Sequence, residues 1–153
     1  MNGEILTTLL QSAVASLQRI ISVTIAVSEP EKSSPPLIPS EMCALIGITG
    51  DVRCRMVMEA SCETYSNLAA SMYGMSMEEE MLQSFAGEIA NMIAGNTAIL
   101  ASETGLHMDI TLPTLLLGSP HIYGFDHAAI VSLSVDRIGS MKLVMLMNEK
   151  EAA

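Results

Sequence analysis

Glu88 and Asn91 stand three residues apart in Gly87-Glu88-Ile89-Ala90-Asn91-Met92-Ile93-Ala94-Gly95. A carboxylate can dock on a cation through a charge-assisted hydrogen bond. A carboxamide donates and accepts at once, so it can hold a small molecule such as water in one orientation. On an ordinary amphipathic helix the same pair would only stay hydrated. Whether it does chemistry depends on what surrounds it.

The surroundings predict a helix. Residues 77–103 contain no proline, and Leu82, Phe85, Ile89, Ile93 and Leu100 recur at helical spacing. At about 100° per residue these side chains share one face. Glu80, Ser84, Gly87, Glu88, Asn91, Gly95, Ala98 and Ser102 form a second stripe, with nothing large and apolar in it. Glu88 and Asn91 therefore project together from neighbouring turns. Two glycines inside a helix cost roughly 1 kcal/mol each against alanine, and close approach of another backbone would account for them. A flat face bearing one carboxylate and one carboxamide suits docking against a partner better than enclosing a small molecule.

Composition narrows the partners. The 153 residues carry a formal net charge of -10 and a pI near 4.5. With no Lys/Arg cluster to displace counterions, nucleic acid is excluded as a partner. The chain has 13 methionines and no tryptophan. Methionine can build adaptable binding surfaces, but here it reads first as core filler. Cys43, Cys54 and Cys62 are odd in number and form no Cys-x-x-Cys pair, which fits a reduced, cytoplasmic protein without a metal site or disulfide framework. Residues 5–27 are apolar overall but include Gln11, Gln18 and Arg19, and no basic stretch precedes them. They read as an amphipathic helix, neither a signal peptide nor a membrane span.

Along the chain, a first helix is expected over residues 3–21, burying Leu6, Leu9, Leu10, Ala13, Leu17, Ile20 and Ile21. A strand follows at 23–27, then a proline-rich loop at 28–40. Strands at 41–49 and from Val52 flank a turn at Gly50-Asp51. Alternation in the second of these buries Cys54, Met56 and Met58 and exposes Arg53 and Arg55. Ser61 can cap a helix reaching Tyr73, stopped by Gly74. Ser76 and Glu79 have capping-box spacing for the central helix, which Gly105 ends. A strand is expected over 109–117, an irregular loop over 120–127, and a hairpin of 128–136 with 141–148 around Arg137-Ile138-Gly139-Ser140. The tail from Glu149 should fray.

The order is helix, three strands, two helices, three strands. This is a single α+β domain: a mostly antiparallel sheet with long helices packed on one side. Helix and strands recur in two halves, and Gly3-Glu4-Ile5 echoes Gly87-Glu88-Ile89, with Thr7 where the asparagine would stand.

Conventional catalytic patterns are missing. His107, His121 and His127 belong to no nucleophile-base arrangement, and neither a phosphate-binding Gly-x-x-x-x-Gly-Lys loop nor a Gly-x-Ser-x-Gly elbow occurs. The stretch GEIANMIAG instead resembles the Glu-x-x-Asn helix of the CheC/CheX/FliY family of chemotaxis phosphatases, in single copy as in its CheX branch. Leu112 to Gly118 (LPTLLLG) resembles the strand that follows that helix, and the similarity extends over nearly the whole chain.

The resemblance implies hydrolysis of the aspartyl phosphate of a phosphorylated CheY-type response regulator. It implies that Asn91 orients the attacking water and that Glu88 docks to a lysine of the regulator. It also implies no cofactor of the chain's own, because the regulator supplies the Mg²⁺. A second Glu-x-x-Asn, present in two-motif members, is absent here. A homodimer joined through sheet edges is expected from the resemblance and from strands short on protecting prolines or bulges. Two other readings fit the same residues. One is a non-catalytic flagellar-switch or scaffold protein that binds a regulator. The other is an acidic ligand-sensing module.

Overall fold

The computed structural model describes residues 2–148, with side chains from residue 5 onward. The elements run α1 (Asn2–Ile20), β1 (Ile25–Val27), β2 (Glu31–Ser33), β3 (Met42–Gly50), β4 (Cys54–Ala60), α2 (Cys62–Tyr73), α3 (Glu79–Ser102), β5 (Met108–Ile110), β6 (Thr114–Leu117), β7 (His127–Val135) and β8 (Gly139–Met147). The expected frayed tail from Glu149, and the side chain of Glu4 in the expected echo, lie outside the described residues.

Among the described residues all eight strands join one sheet in the order β1-β7-β8-β4-β3-β5, with antiparallel pairing throughout. β2 continues the β1 edge along β7, and β6 continues the β5 edge along β3. The apolar stripe of α1, from Leu6 to Leu17, and Ile21 just past its end pack with Leu82, Phe85, Ile89 and Ile93 of α3 on one sheet face. That face supplies Met42, Ala44, Ile46 and Ile48 from β3 and Met56 and Met58 from β4. The α+β class with helices on one side is therefore as expected.

The expected two-half plan is present in detail. Each half is a helix, a broken edge, then a hairpin: α1, β1/β2, β3–β4, and α3, β5/β6, β7–β8, with α2 between them. Each broken edge lies on the hairpin of the other half. At the first break Ser28 N donates to Ser132 O at 2.9 Å and Ser132 N donates back to Ser28 Oγ at 2.9 Å. At the second, Thr111 N donates to Gly47 O at 2.9 Å and Gly47 N donates to Thr111 Oγ1 at 2.8 Å. A hydroxyl replaces the missing ladder carbonyl both times. Pro30 and Pro113 close the two breaks.

Several expectations are corrected. The strand expected over 109–117 is two strands, because Pro113 lacks the N–H that would continue the ladder. The loop expected over 28–40 contains β2, paired with Ile130, Ala129 and Ala128 of β7. Its Glu31 and Lys32 are exposed, so no apolar pattern marked it. Ser76 does not cap α3: Glu78 is the N-cap and makes no side-chain capping bond. Three acidic residues at that end, Glu78, Glu79 and Glu80, complement the helix dipole instead. Ser61 does cap α2, accepting from Thr64 N at 3.1 Å, and Gly74 ends it at φ +70°. Both sheet edges contain a proline, which removes the expectation that the edges lack protection.

The outer face of the sheet is also less open than alternation implied. Val57 is fully buried there with Cys43, Val144 and Leu146, under Leu37, Ile122 and Phe125 from two loops bridged at Leu37 and Ile122. Arg53 is exposed as expected, but Arg55 is half-buried, its guanidinium donating to Tyr123 O at 3.1 Å and Gly124 O at 2.9 Å. Glu59, on the same face, is only 3 % exposed. Its Oε1 accepts from Ser40 Oγ at 3.5 Å, and its Oε2 is buried without a partner.

Candidate functional site

The central helix α3 turns its apolar stripe inward, which leaves Glu88 and Asn91 exposed one turn apart on the opposite side. Among the described residues neither side chain has a hydrogen-bond or ion-pair partner within the chain. Both polar groups face water and are free to engage another molecule.

The flatness of the face has a concrete cause. A Cβ built on Gly87 would lie 3.1 Å from Leu115 Cδ2 and 3.5 Å from Pro113 Cγ. The glycine lets the broken β5/β6 edge settle against the helix beside Glu88. At Gly95 a Cβ would meet only Ile110 Cδ1 at 3.9 Å, an ordinary contact. The close approach of another backbone expected from the two glycines is not found: side chains of Leu115 and Pro113 crowd Gly87, and only Ile110 Cδ1 lies near Gly95.

Two exposed methionines that the helical pattern had assigned no place share this face. Met81 and Met92 lie seven residues before and four after Glu88, on the same helix face, and both are exposed. Tyr73 and Leu112 add further exposed apolar surface, Leu112 at 85 %. The i−7 and i+4 spacing from Glu88 was the available signal.

The face is acidic throughout. The sequence has no Lys or Arg between Arg55 and Arg137. That interval holds all of α2, α3, β5 and β6. These four elements bring no positive charge of their own to Glu88 and Asn91. Among the described residues, no group of three or more His, Cys, Asp or Glu could hold a metal ion. No helix among them is long and apolar enough to cross a membrane. Cys43 and Cys54 are buried and Cys62 half-buried, and no disulfide joins them. Burial, with Glu59 adding, pushes the Cys43 thiol up to about 12, far from nucleophilic at neutral pH.

The sheet is built of two helix-and-hairpin halves, with a Glu-x-x-Asn pair exposed on the central helix. Residues 42–136 match the family model described as chemotaxis phosphatase CheX. The CheY-P phosphatase CheX of Thermotoga maritima is 30 % identical over 122 residues, covering 77 % of this chain and 78 % of that protein. The chain belongs to the CheC/CheX/FliY family of chemotaxis phosphatases. Solved structures share the fold. A chemotaxis protein CheX from Desulfovibrio desulfuricans superposes with TM-score 0.78 at 16 % identity, covering 95 % of this chain and 99 % of that one. CheX of Borrelia burgdorferi, in a CheX-CheY-BeF3-Mg complex, gives TM-score 0.75 at 21 % identity, over 94 % and 97 %.

Proposed function

We propose that the chain accelerates hydrolysis of the aspartyl phosphate of a CheY-type response regulator. Asn91 orients the attacking water and Glu88 docks on a lysine of the regulator. The observation that carries this reading is the exposure of both side chains, one turn apart and without internal partners, on a face cleared by Gly87. The family relationship supports the substrate class.

The chemistry follows from what the site has and lacks. Hydrolysis forms a bond from water oxygen to phosphorus and breaks the bond from phosphorus to the aspartyl oxygen. It releases the regulator's carboxylate and inorganic phosphate, which takes the water's proton. The acyl phosphate is already activated, so alignment and charge neutralisation are what catalysis must supply. Asn91, short and exposed, can accept one hydrogen from a water and donate to its oxygen or to the phosphoryl group. No Lys or Arg lies between Arg55 and Arg137. On this reading the neutralising charge arrives with the regulator, as its lysine and its bound Mg²⁺. This separates the reading from a self-sufficient phosphatase: small phosphate esters, which bring no cation of their own, should not be turned over.

The test is decay of a phosphorylated regulator with and without the protein, alongside p-nitrophenyl phosphate as substrate. Faster decay of the regulator alone is expected. Binding without phosphate release would favour the scaffold reading, and turnover of the small ester would overturn the borrowed-cation mechanism.

The same reading includes a homodimer and a cytoplasmic location. The absence of disulfides among the three cysteines fits a reducing compartment. Both edges are broken at Pro30 and Pro113, so an edge pairing could add only the short ladders of β1, β2, β5 or β6. Sedimentation at tens of micromolar should give twice the chain mass, and a monomeric mass would overturn the dimer.

A further inference from the structure

Where α2 ends, the chain turns through Gly74 and enters α3, and a groove of about 530 Å³ opens between Tyr73 and the first turns of α3. Met77, Met81 and Phe85 line it at four-residue spacing, with Glu80 and Glu88 beside them. The Tyr73 ring stands edge-on to Phe85, centroids 5.8 Å apart and planes at 81°. Tyr73 and Met81 are each 50 % exposed. Large apolar side chains thus remain half in water directly beside the docking glutamate. Methionine, unbranched and polarizable, adapts to the shape of what enters.

We propose that this groove receives an apolar side chain of the response regulator, from a surface segment that also carries Lys or Arg, and so sets which regulator is engaged. The inference rests on the proposed function and names a second contact for the same partner. Two observations commit the groove to that occupant. The first is continuity: Glu88 lines the groove and also belongs to the reactive pair, so a regulator seated on Glu88 and Asn91 must cover Met81. The second is charge. Glu80 and Glu88 line the apolar floor, Glu78 and Glu79 stand next to Glu80 at the start of the helix, and no Lys or Arg occurs from residue 56 to 136. A basic-flanked apolar segment is complementary to such a surface, while an acidic one is repelled. A second copy of this chain would bring the same acidic face against itself.

The groove should govern affinity and leave the chemical step alone. The experiment titrates the regulator, held in its phosphorylated-like state with beryllofluoride and Mg²⁺, into the parent, Met81→Ser and Met81→Leu. Phosphate release is measured on the same preparations, with folding checked by circular dichroism. Truncating one interface anchor commonly weakens binding about tenfold. Met81→Ser should therefore raise Kd and KM about tenfold while kcat at saturation stays within about twofold, and Met81→Leu should restore both. Ile38→Ser, at an exposed apolar position outside the groove, should change neither. If the parent binds and dephosphorylates the regulator but Met81→Ser leaves Kd unchanged, the groove inference is overturned and the Glu88–Asn91 reading stands. A loss of kcat without a change in KM would overturn it equally. If the parent neither binds nor acts on the regulator, the proposed function itself fails.

Discussion

Gly87 of α3 lies against Leu115 of β6 so closely that an added methyl group would sit 3.1 Å from Leu115 Cδ2. Eight residues on, Gly95 has its nearest such neighbour at 3.9 Å. The two glycines of one motif therefore answer differently to alanine. Gly95→Ala should gain up to about 1 kcal/mol from helix propensity. Gly87→Ala should forfeit most of that gain, because the Leu115 side chain has to shift by a few tenths of an ångström. Denaturant melts of the two variants check this, with Gly95→Ala expected to be the more stable.

Asn91 carries the enzymatic claim. On the proposed mechanism, Asn91→Ala removes a group that acts at the reacting centre and leaves the rest of the docking face in place. Misplacing a reactant by about 1 Å can cost on the order of 10² in rate. Acceleration of phosphate release should fall by about that factor while regulator binding persists. Asn91→Asp keeps the size but loses the amide donor and sets a charge beside a phosphoryl group, so it should fail as well. A fully active Asn91→Ala would end the mechanism.

Glu88 should act mainly through binding. Reversing its sign in Glu88→Lys sets like charges against each other at the expected lysine contact. The side chain is exposed and has no internal partner, so the fold should be unaffected. Calorimetry should show binding weakened at least about tenfold, a loss of ~1.4 kcal/mol. Unchanged affinity would remove the docking role.

Glu59 predicts a pH dependence. Burial raises its carboxyl above the ordinary 4.5, with Lys142 and Ser40 pulling it partly back. Lys142 faces it from β8 and Cys43 from β3, the latter thiol neutral over the relevant range. The folded state thus holds the Glu59 proton to higher pH than the unfolded chain does. By linkage, this group's contribution is complete below its ordinary value and is lost as pH rises through the raised one. Glu59→Gln abolishes that titration. The variant's stability relative to the parent should increase from about pH 4 to neutrality, by on the order of 1 kcal/mol, the scale of an unsatisfied buried polar group. Parallel urea titrations across that range decide it, and a constant difference would refute it.

What could be read in the residues follows the range of the interactions. The helices were legible because α1 and α3 repeat their apolar residues over several turns, and because Ser61 and Gly74 mark the ends of α2 by local chemistry. The β7–β8 hairpin announced itself through its own turn. The polar strand β2 did not, since Glu31 and Lys32 show no apolar alternation and their partners on β7 are about a hundred residues away. Pro113 was a local signal for the break between β5 and β6, outweighed by the apolar run Leu115-Leu116-Leu117. At the site, Glu88 and Asn91 fell on the exposed face that the helical period gave them. Met81 and Met92 were overlooked because methionine in an apolar chain reads as core, and only packing separates the buried Met56 and Met58 from these.

The exchanged edges have a consequence for how the chain becomes a protein. Each hairpin is completed by strands that belong to the other end of the sequence, so neither half has a closed sheet to fall back on. A ribosome that has released only residues up to Gly74 has made β3 without the β5 and β6 that flank it. Such long-range pairings form slowly. Assembly should therefore wait for the last hairpin and proceed in one step. A cut in the connector between α2 and α3 should yield two fragments that fold only when mixed. The central helix α3 inherits this dependence. β5 and β6, which pack against it and crowd it at Gly87, are themselves held by β3, so an injury to the first hairpin would be felt at Asn91.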